Sequence, residues 1–379
     1  MPNAVLPDAT RVNIRDASVV HFLSAPSPQM TEPSDRVTRA NGLILATAIT
    51  FGRRKRRNGQ DGHMSRVRRS GALWGAKDIP DQTGRTIVVT GANSGLGLRS
   101  AEALAAKGAR VVMACRNQEK AAAALEGVAA VATGPAPEVV ALDLSDLASV
   151  EECAAKLSAS LDRLDVLLNN AGVMAIPLAR TAQGFEMQLG TNHLGHFALT
   201  GRLLPTLLKA SAPRVVSVSS NAHKFGRMDF DDLNAERKRY VRWMAYTQSK
   251  LADLLFVKEL ARRAAEAGSD LVTACGHPGY AATNLTQPGI GAMGSLFSRG
   301  IKFFDNILGQ SDAMGALPQL YAATMPDVQP DAYYGPDGWL EQRGHPTLVG
   351  RTKHAQNEAD ARRLWDISEQ LTGVTYSWS

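Results

Sequence analysis

The chain of 379 residues carries only three cysteines, Cys115, Cys153 and Cys275. They share no metal-ligand spacing, and so sparse and odd a set argues against a disulfide framework. A reducing, cytoplasmic setting is the expectation. Long hydrophobic runs are also missing. The longest in the N-terminal leader, Gly42–Phe51, is about half of what a bilayer-spanning helix needs, so no transmembrane segment is expected. The charges at Arg53–Arg57 follow that run, whereas a secretory signal carries them ahead of it. A net basic charge is absent from the body of the chain. Residues 1–80 hold 13 Lys/Arg against 6 Asp/Glu, and the remainder holds 29 against 30. The pI of about 9.3 therefore belongs to the leader. Without a basic stripe in the body, no nucleic-acid partner is expected.

Residues 1–75 read as a basic, disordered leader; alternatively the true start is Met64, shortly before the first convincing strand. From Thr83 the rhythm changes to short β-branched runs alternating with Ala/Leu-rich stretches, the pattern of a parallel sheet. The runs are Thr86–Thr90, Arg110–Cys115, Glu138–Leu142, Leu164–Asn169, Arg214–Ser219 and Leu271–Cys275. Each is continuous rather than alternating, as strands buried on both faces are. Helices are expected over Gly95–Lys107, Gln118–Ala132, Leu147–Ser160, Phe185–Ala210 and Arg242–Ala267. The expected fold is a single doubly wound α/β domain with ligands beyond the carboxyl ends of its strands.

The first run leads through Thr90-Gly91-Ala92-Asn93-Ser94-Gly95-Leu96-Gly97 into the first helix. Glycines let the backbone turn tightly and approach a pyrophosphate, and the helix N-terminus offers it unpaired N–H groups. Gly91, Asn93, Ser94, Gly95, Leu96 and Gly97 are thus candidate dinucleotide ligands; the strand before and helix after give an otherwise weak signal its weight. The second run ends in Ala114-Cys115-Arg116-Asn117, with no carboxylate until Glu119. NAD-selective folds place Asp or Glu there for the ribose 2′-OH. Arg116 instead offers a planar fork suited to a 2′-phosphate. NADP(H) is expected over NAD(H); the alternative for Arg116 is a solvated surface arginine. Asp143 can accept from the adenine amino group or else cap the next helix, and Leu144 joins it in the cofactor set. Asn170, Ala171 and Gly172 end the fourth run with small residues that leave room for the adenosine ribose, unless an Asn serves only to tie strands together.

Tyr246 and Lys250 stand four apart and so share a helix face. A phenol pKa near about 10 is too high for ready proton exchange at neutral pH, and a nearby ammonium lowers it. The pair can serve as a general acid–base at an alcohol oxygen, although this spacing is common by chance. His193 and His196 have no third ligand nearby, so packing and polar contacts outweigh a metal site, and no metal is expected. His277 reads as backbone-positioning and Asp165 as serving the fold.

Taken in order, TGANSGLG, NNAG, TNHLGHF, VSVSS, YTQSK and HPGYAATNL resemble the short-chain dehydrogenase/reductase family from about residue 84 to the C-terminus. The resemblance implies a Rossmann-type sheet with helices on both faces, and a nicotinamide-dependent oxidoreductase domain over 84–375. It makes Tyr246 the proton donor or acceptor. Lys250 lowers its pKa and holds the nicotinamide ribose, and Ser220 hydrogen-bonds the substrate oxygen. Asn192 anchors a water relay from Lys250 to solvent. Pro278, Gly279 and Thr283 line the nicotinamide. Similar proteins are often homodimers or homotetramers, but no feature of this sequence demands either assembly.

Ser220 and Tyr246 are separated by 25 intervening residues, a wider gap than in many members. The insert Phe230-Asp231-Asp232-Leu233-Asn234, with ACRN, TNHLGHF and HPGYAATNL, looks like the branch holding retinol dehydrogenases, WW-domain-containing oxidoreductases and light-dependent protochlorophyllide reductases. The stretch Leu251-Ala252-Asp253-Leu254-Leu255 lacks the cysteine that such photoreductases carry, and no WW module precedes the domain. Met293, Leu296, Phe297, Ile301, Phe304 and Leu308 form an apolar stripe at helical spacing. It reads as a lid, about 284–310, over a lipophilic alcohol or carbonyl of retinoid, steroid or fatty type. A core- or dimer-facing helix is the equal alternative, and shallow membrane docking a weaker one. A non-catalytic NADP-binding sensor or docking protein is the rival function. The intact set Asn192, Ser220, Tyr246 and Lys250 disfavours it.

Overall fold

Five of the six continuous apolar runs become buried strands, while the run at Glu138–Leu142 forms the edge strand and stays partly exposed. In this computed structural model residues 73–279 and 310–378 are described. Most of the leader with Met64, Thr283, and the expected lid up to residue 309 lie outside the described residues. The strands are β1 Thr86–Thr90, β2 Arg110–Cys115, β3 Glu138–Ala141, β4 Val166–Asn169, β5 Arg214–Val218, β6 Val272–Gly276, β7 Ala332–Pro336 and β8 Pro346–Leu348. They form one sheet in the order β3-β2-β1-β4-β5-β6-β7-β8. All neighbours pair in parallel except β8, which runs antiparallel to β7. The strand order reverses between β1 and β4, which is where such sheets gather ligands. Pairing of Thr90 with Ala114 and of Asn169 with Ser217 aligns the strands' carboxyl ends along that edge.

The helices are α1 Gly95–Ala105, α2 Gln118–Val131, α3 Leu147–Ser160, α4 Gly195–Leu207, α5 Arg242–Glu266, α6 Leu317–Thr324 and α7 Glu358–Thr372. They cover both faces, as the doubly wound reading requires. Val88 and Leu167 face a core shared with Val150, Phe197, Leu254 and Trp365, on α3, α4, α5 and α7. Ile87, Val89 and Leu168 face a second core with Leu104, Val128 and Tyr321, on α1, α2 and α6. Trp74 and Ile79 already belong to this second core, and the Trp74 ring meets Tyr321 edge-on at 5.1 Å. Among the described residues no helix is long and apolar enough to cross a membrane.

The expected helix over 185–210 is not uniform. A short turn at Met187–Leu189 leads into a π-turn at Gly190–Leu194, where the Gly195 N–H reaches back five residues to the Gly190 carbonyl. Such widened turns rotate one residue out of helical phase and recur at functional sites. Here the residue is Asn192.

Candidate active site

Backbone geometry shapes the first part of the site. Gly91 and Gly95 take left-handed conformations, φ +67° and +54°, which only glycine adopts at little cost. A Cβ on Gly97 would stand 2.4 Å from the Gly91 carbonyl oxygen and 2.5 Å from Asn170 Nδ2, so the turn can fold onto β4 only with glycine there. Ser94 precedes α1 without a side-chain cap, and the first helical bond is Leu98 N–H to the Ser94 carbonyl at 3.2 Å. The N–H groups ahead of Leu98 have no intrahelical partner to find. This glycine cradle and uncapped helix end fit a pyrophosphate. Asn170 Nδ2 donates to the Thr90 carbonyl at 2.8 Å, while its Oδ1 accepts from Gln319 at 3.1 Å. Arg116 is exposed at the end of β2, and among the described residues no carboxylate pairs with it.

The second part is held by buried side chains. Tyr246 and Lys250 are 6% and 5% exposed on the face of α5 turned to the sheet. Lys250 Nζ donates to the Val218 carbonyl at the end of β5, 2.8 Å, and to Asp253 Oδ2, 2.9 Å. The Asn192 side chain is fully engaged. Its Oδ1 accepts from the Val173 N–H at 2.8 Å, and its Nδ2 donates to the Val173 carbonyl and to Ser249 Oγ at 3.0 and 2.9 Å. Gly172 joins the two parts, since a Cβ there would lie 3.0 Å from Asn192 Oδ1 and 3.7 Å from Lys250 Nζ. Ser220 Oγ accepts from the Ala222 N–H at 3.1 Å. Ser219 is occupied elsewhere, donating to the Lys250 carbonyl at 2.7 Å.

Burial raises the Tyr246 phenol above its ordinary value, while the Lys250 ammonium and the Ser220 hydroxyl pull it down. The expected pull of the lysine is thus present, but desolvation outweighs it. For Lys250, burial works against the charged form, yet the Asp253 carboxylate and Tyr246 hold it above the usual lysine range.

The sequence profile of the short chain dehydrogenase family matches residues 85–290. Retinol dehydrogenase 13 of Homo sapiens is 42% identical over 295 residues, covering 77% of this chain and 85% of its own. Retinol dehydrogenase 14 of Mus musculus is 41% identical over 310 residues, covering 77% and 86%. This chain belongs to the short-chain dehydrogenase family. The crystal structure of an uncharacterized protein from Mycobacterium Paratuberculosis, 43% identical, superposes with a TM-score of 0.67 over 81% of this chain and all of its own.

As a short-chain dehydrogenase, the protein is an oxidoreductase of a nicotinamide-binding family, and the remaining residues can be placed on that frame. Asp143 Oδ1 accepts from the Ser145 N–H and Oγ at 2.9 and 2.6 Å. The cap of the next helix comes from Asp146 rather than Asp143. Leu144 is buried against Gly195. His277 takes the Gly279 N–H on Nδ1 at 3.2 Å, bracing Pro278 and Gly279 beyond β6. Asp165 Oδ2 accepts from the Thr86 N–H at 2.8 Å. His193 pairs with Ser368 on α7 at 2.8 Å.

Three polar groups complete the site, and only His196 was singled out from the sequence. His196 bridges the two parts: its Nδ1 donates to the Asn192 carbonyl at 2.9 Å, and its Nε2 faces Thr90 Oγ1 at 3.0 Å. The carbonyl can only accept, which fixes the tautomer. Gln319, on α6, holds both Ser100 and Asn170. Asp253 is the third, and its signal was in plain view: a carboxylate one turn beyond Lys250 shares its face.

Proposed function

We propose that this short-chain dehydrogenase is an NADP(H)-dependent oxidoreductase acting on the alcohol or carbonyl of a lipophilic small molecule. The observation that carries the reading is Tyr246: a buried phenol acted on by both Lys250 and Ser220. Gly91, Asn93, Ser94, Gly95, Leu96 and Gly97 would hold the pyrophosphate at the start of α1. Arg116 would take the 2′-phosphate, Asp143 and Leu144 the adenine, and Asn170, Ala171 and Gly172 the adenosine ribose. Lys250 would hold the nicotinamide ribose hydroxyls, with Pro278, Gly279 and Thr283 along the ring. Bound nicotinamide supplies or accepts hydride at the carbinol carbon.

The protein's own residues handle the proton. Tyr246 Oη gives a proton to the carbonyl oxygen in reduction and takes one from the alcohol in oxidation. Ser220 Oγ hydrogen-bonds that same oxygen and aims it at Tyr246. Asn192, fixed by Val173 and Ser249, keeps the path from Lys250 toward solvent in register. The names of the relatives, retinol dehydrogenases 13 and 14, support a retinoid-like alcohol or aldehyde. Three free, buried cysteines support a reducing, cytoplasmic setting. A panel of retinoid, steroid and short aliphatic carbonyls, assayed with NADPH and NADH, tests the reading. It predicts turnover, greatest with a lipophilic carbonyl and NADPH. Tight NADPH binding without turnover of any carbonyl would overturn it in favour of a sensor.

A further inference from the structure

Lys250 is not alone in its pocket. Asp253 follows it by three residues on α5, and its Oδ2 lies 2.9 Å from Lys250 Nζ, with the two side chains 6% and 7% exposed. The ammonium is therefore fixed between a strand-end carbonyl, Val218 at 2.8 Å, and a carboxylate. A buried ammonium without a counter-charge tends to lose its proton. A paired one keeps it, but the pair acts on a third group as a dipole, more weakly than the bare ion would.

The surroundings leave this pair intact. On the same helix the neighbouring titratable group is Tyr246. From β6, Cys275 Sγ faces the Asp253 carbonyl at 3.8 Å, and burial pushes its thiol well up, keeping it uncharged. From α4, His196 is held down to about 4 by burial and is neutral. Beyond Cys275, Arg351 and Asp331 satisfy one another at 2.6 Å.

We propose that Asp253 is a positioning residue: it holds Lys250 Nζ at the end of β5 and limits how much of its charge reaches Tyr246, thereby setting the alkaline limb of the pH profile. This rests on Tyr246 being the acid–base group. Burial raises the Asp253 carboxyl to about 6 against the pull of Lys250, so the carboxylate is present at neutral pH. Removing its charge leaves the Tyr246 phenolate as the anion that faces the Lys250 ammonium, which stabilises the phenolate and lowers the Tyr246 pKa.

Asp253→Asn keeps the shape and removes the charge; Asp253→Ser is the second charge-free variant should the first fold poorly. Carbonyl reduction with NADPH requires the protonated phenol and declines as pH rises through its pKa. In the variant this decline should move down by about one pH unit. An ultraviolet titration of the NADP+ complex, with the corresponding Tyr246→Phe spectrum subtracted, should show the same shift without any substrate. Unchanged titration in both charge-free variants overturns the proposal. A spectroscopic shift in a protein that turns over no carbonyl would sink the functional reading and leave the positioning role standing.

Discussion

Between Thr90 and Gly97 the protein builds its site from main chain: left-handed glycines, a helix that begins uncapped, and a turn pressed against β4. Around Val218 it builds with buried side chains: Lys250 paired with Asp253 and the Val218 carbonyl, Tyr246 one turn away, and Asn192 held by Val173 and Ser249. The first arrangement recognises an anion by dipoles fixed in the fold, with little charge of its own to desolvate. The second must keep charge out of water, which is stable only when every group is paired. His196 touches both, through Thr90 and the Asn192 carbonyl. Binding and chemistry are therefore expected to respond differently to substitution.

Tyr246→Phe separates them most sharply. Turnover should fall by about 10²–10⁴-fold, the usual share of a general acid–base, while NADPH affinity in a fluorescence titration stays near wild type. Loss of both together would mean that the two parts are not independent. Gly97→Ala strikes the opposite end. Its Cβ would meet the Gly91 carbonyl and Asn170 Nδ2, and such overpacking costs about 1–3 kcal/mol. A lower Tm with weakened NADPH binding is expected, and a variant that binds NADPH as wild type does would refute the cradle.

Arg116→Ser is a gentler cut. A charge-assisted hydrogen bond to phosphate contributes about 1.5–3 kcal/mol, so the ratio of kcat/KM for NADPH over NADH should drop at least about tenfold. No change in that ratio would leave Arg116 a solvated arginine.

Acid stability tests the buried side chains without any ligand. Burial holds His193 down to about 3 and His196 to about 4, against about 6.5 in the unfolded chain. Below that value the unfolded chain takes up protons that the fold refuses. Stability is then complete above about pH 6.5 and declines below it, by at most about 1.4 kcal/mol per histidine per pH unit. Asp253, raised to about 6 by burial, works the other way and offsets part of this between about pH 4 and 6. Thermal unfolding from pH 7 to 5 should show a falling Tm; a flat curve would contradict the buried neutral histidines.

The same contrast explains what could be read in the amino-acid sequence. A glycine turn between a strand and a helix is a local pattern, so the region from Thr86 to Gly97 and the runs of β2, β4 and β5 were legible. So was the spacing of Tyr246 and Lys250. The π-turn at Asn192 was not, because one widened turn barely alters the apolar periodicity of its helix. β7 was missed because Tyr333-Tyr334-Gly335-Pro336 ends in two residues that mark a strand as doubtful. Gln319 lies 219 residues from Ser100 and 149 from Asn170, and no local spacing announces a contact at that range.

The most direct measurement of the central claim is isotope transfer. Incubated with a lipophilic aldehyde and NADPH carrying deuterium at both nicotinamide C4 positions, the wild-type protein should yield an alcohol carrying deuterium on its carbinol carbon, and Tyr246→Phe should yield almost none. Unlabelled alcohol, or equal label from both proteins, would contradict the account.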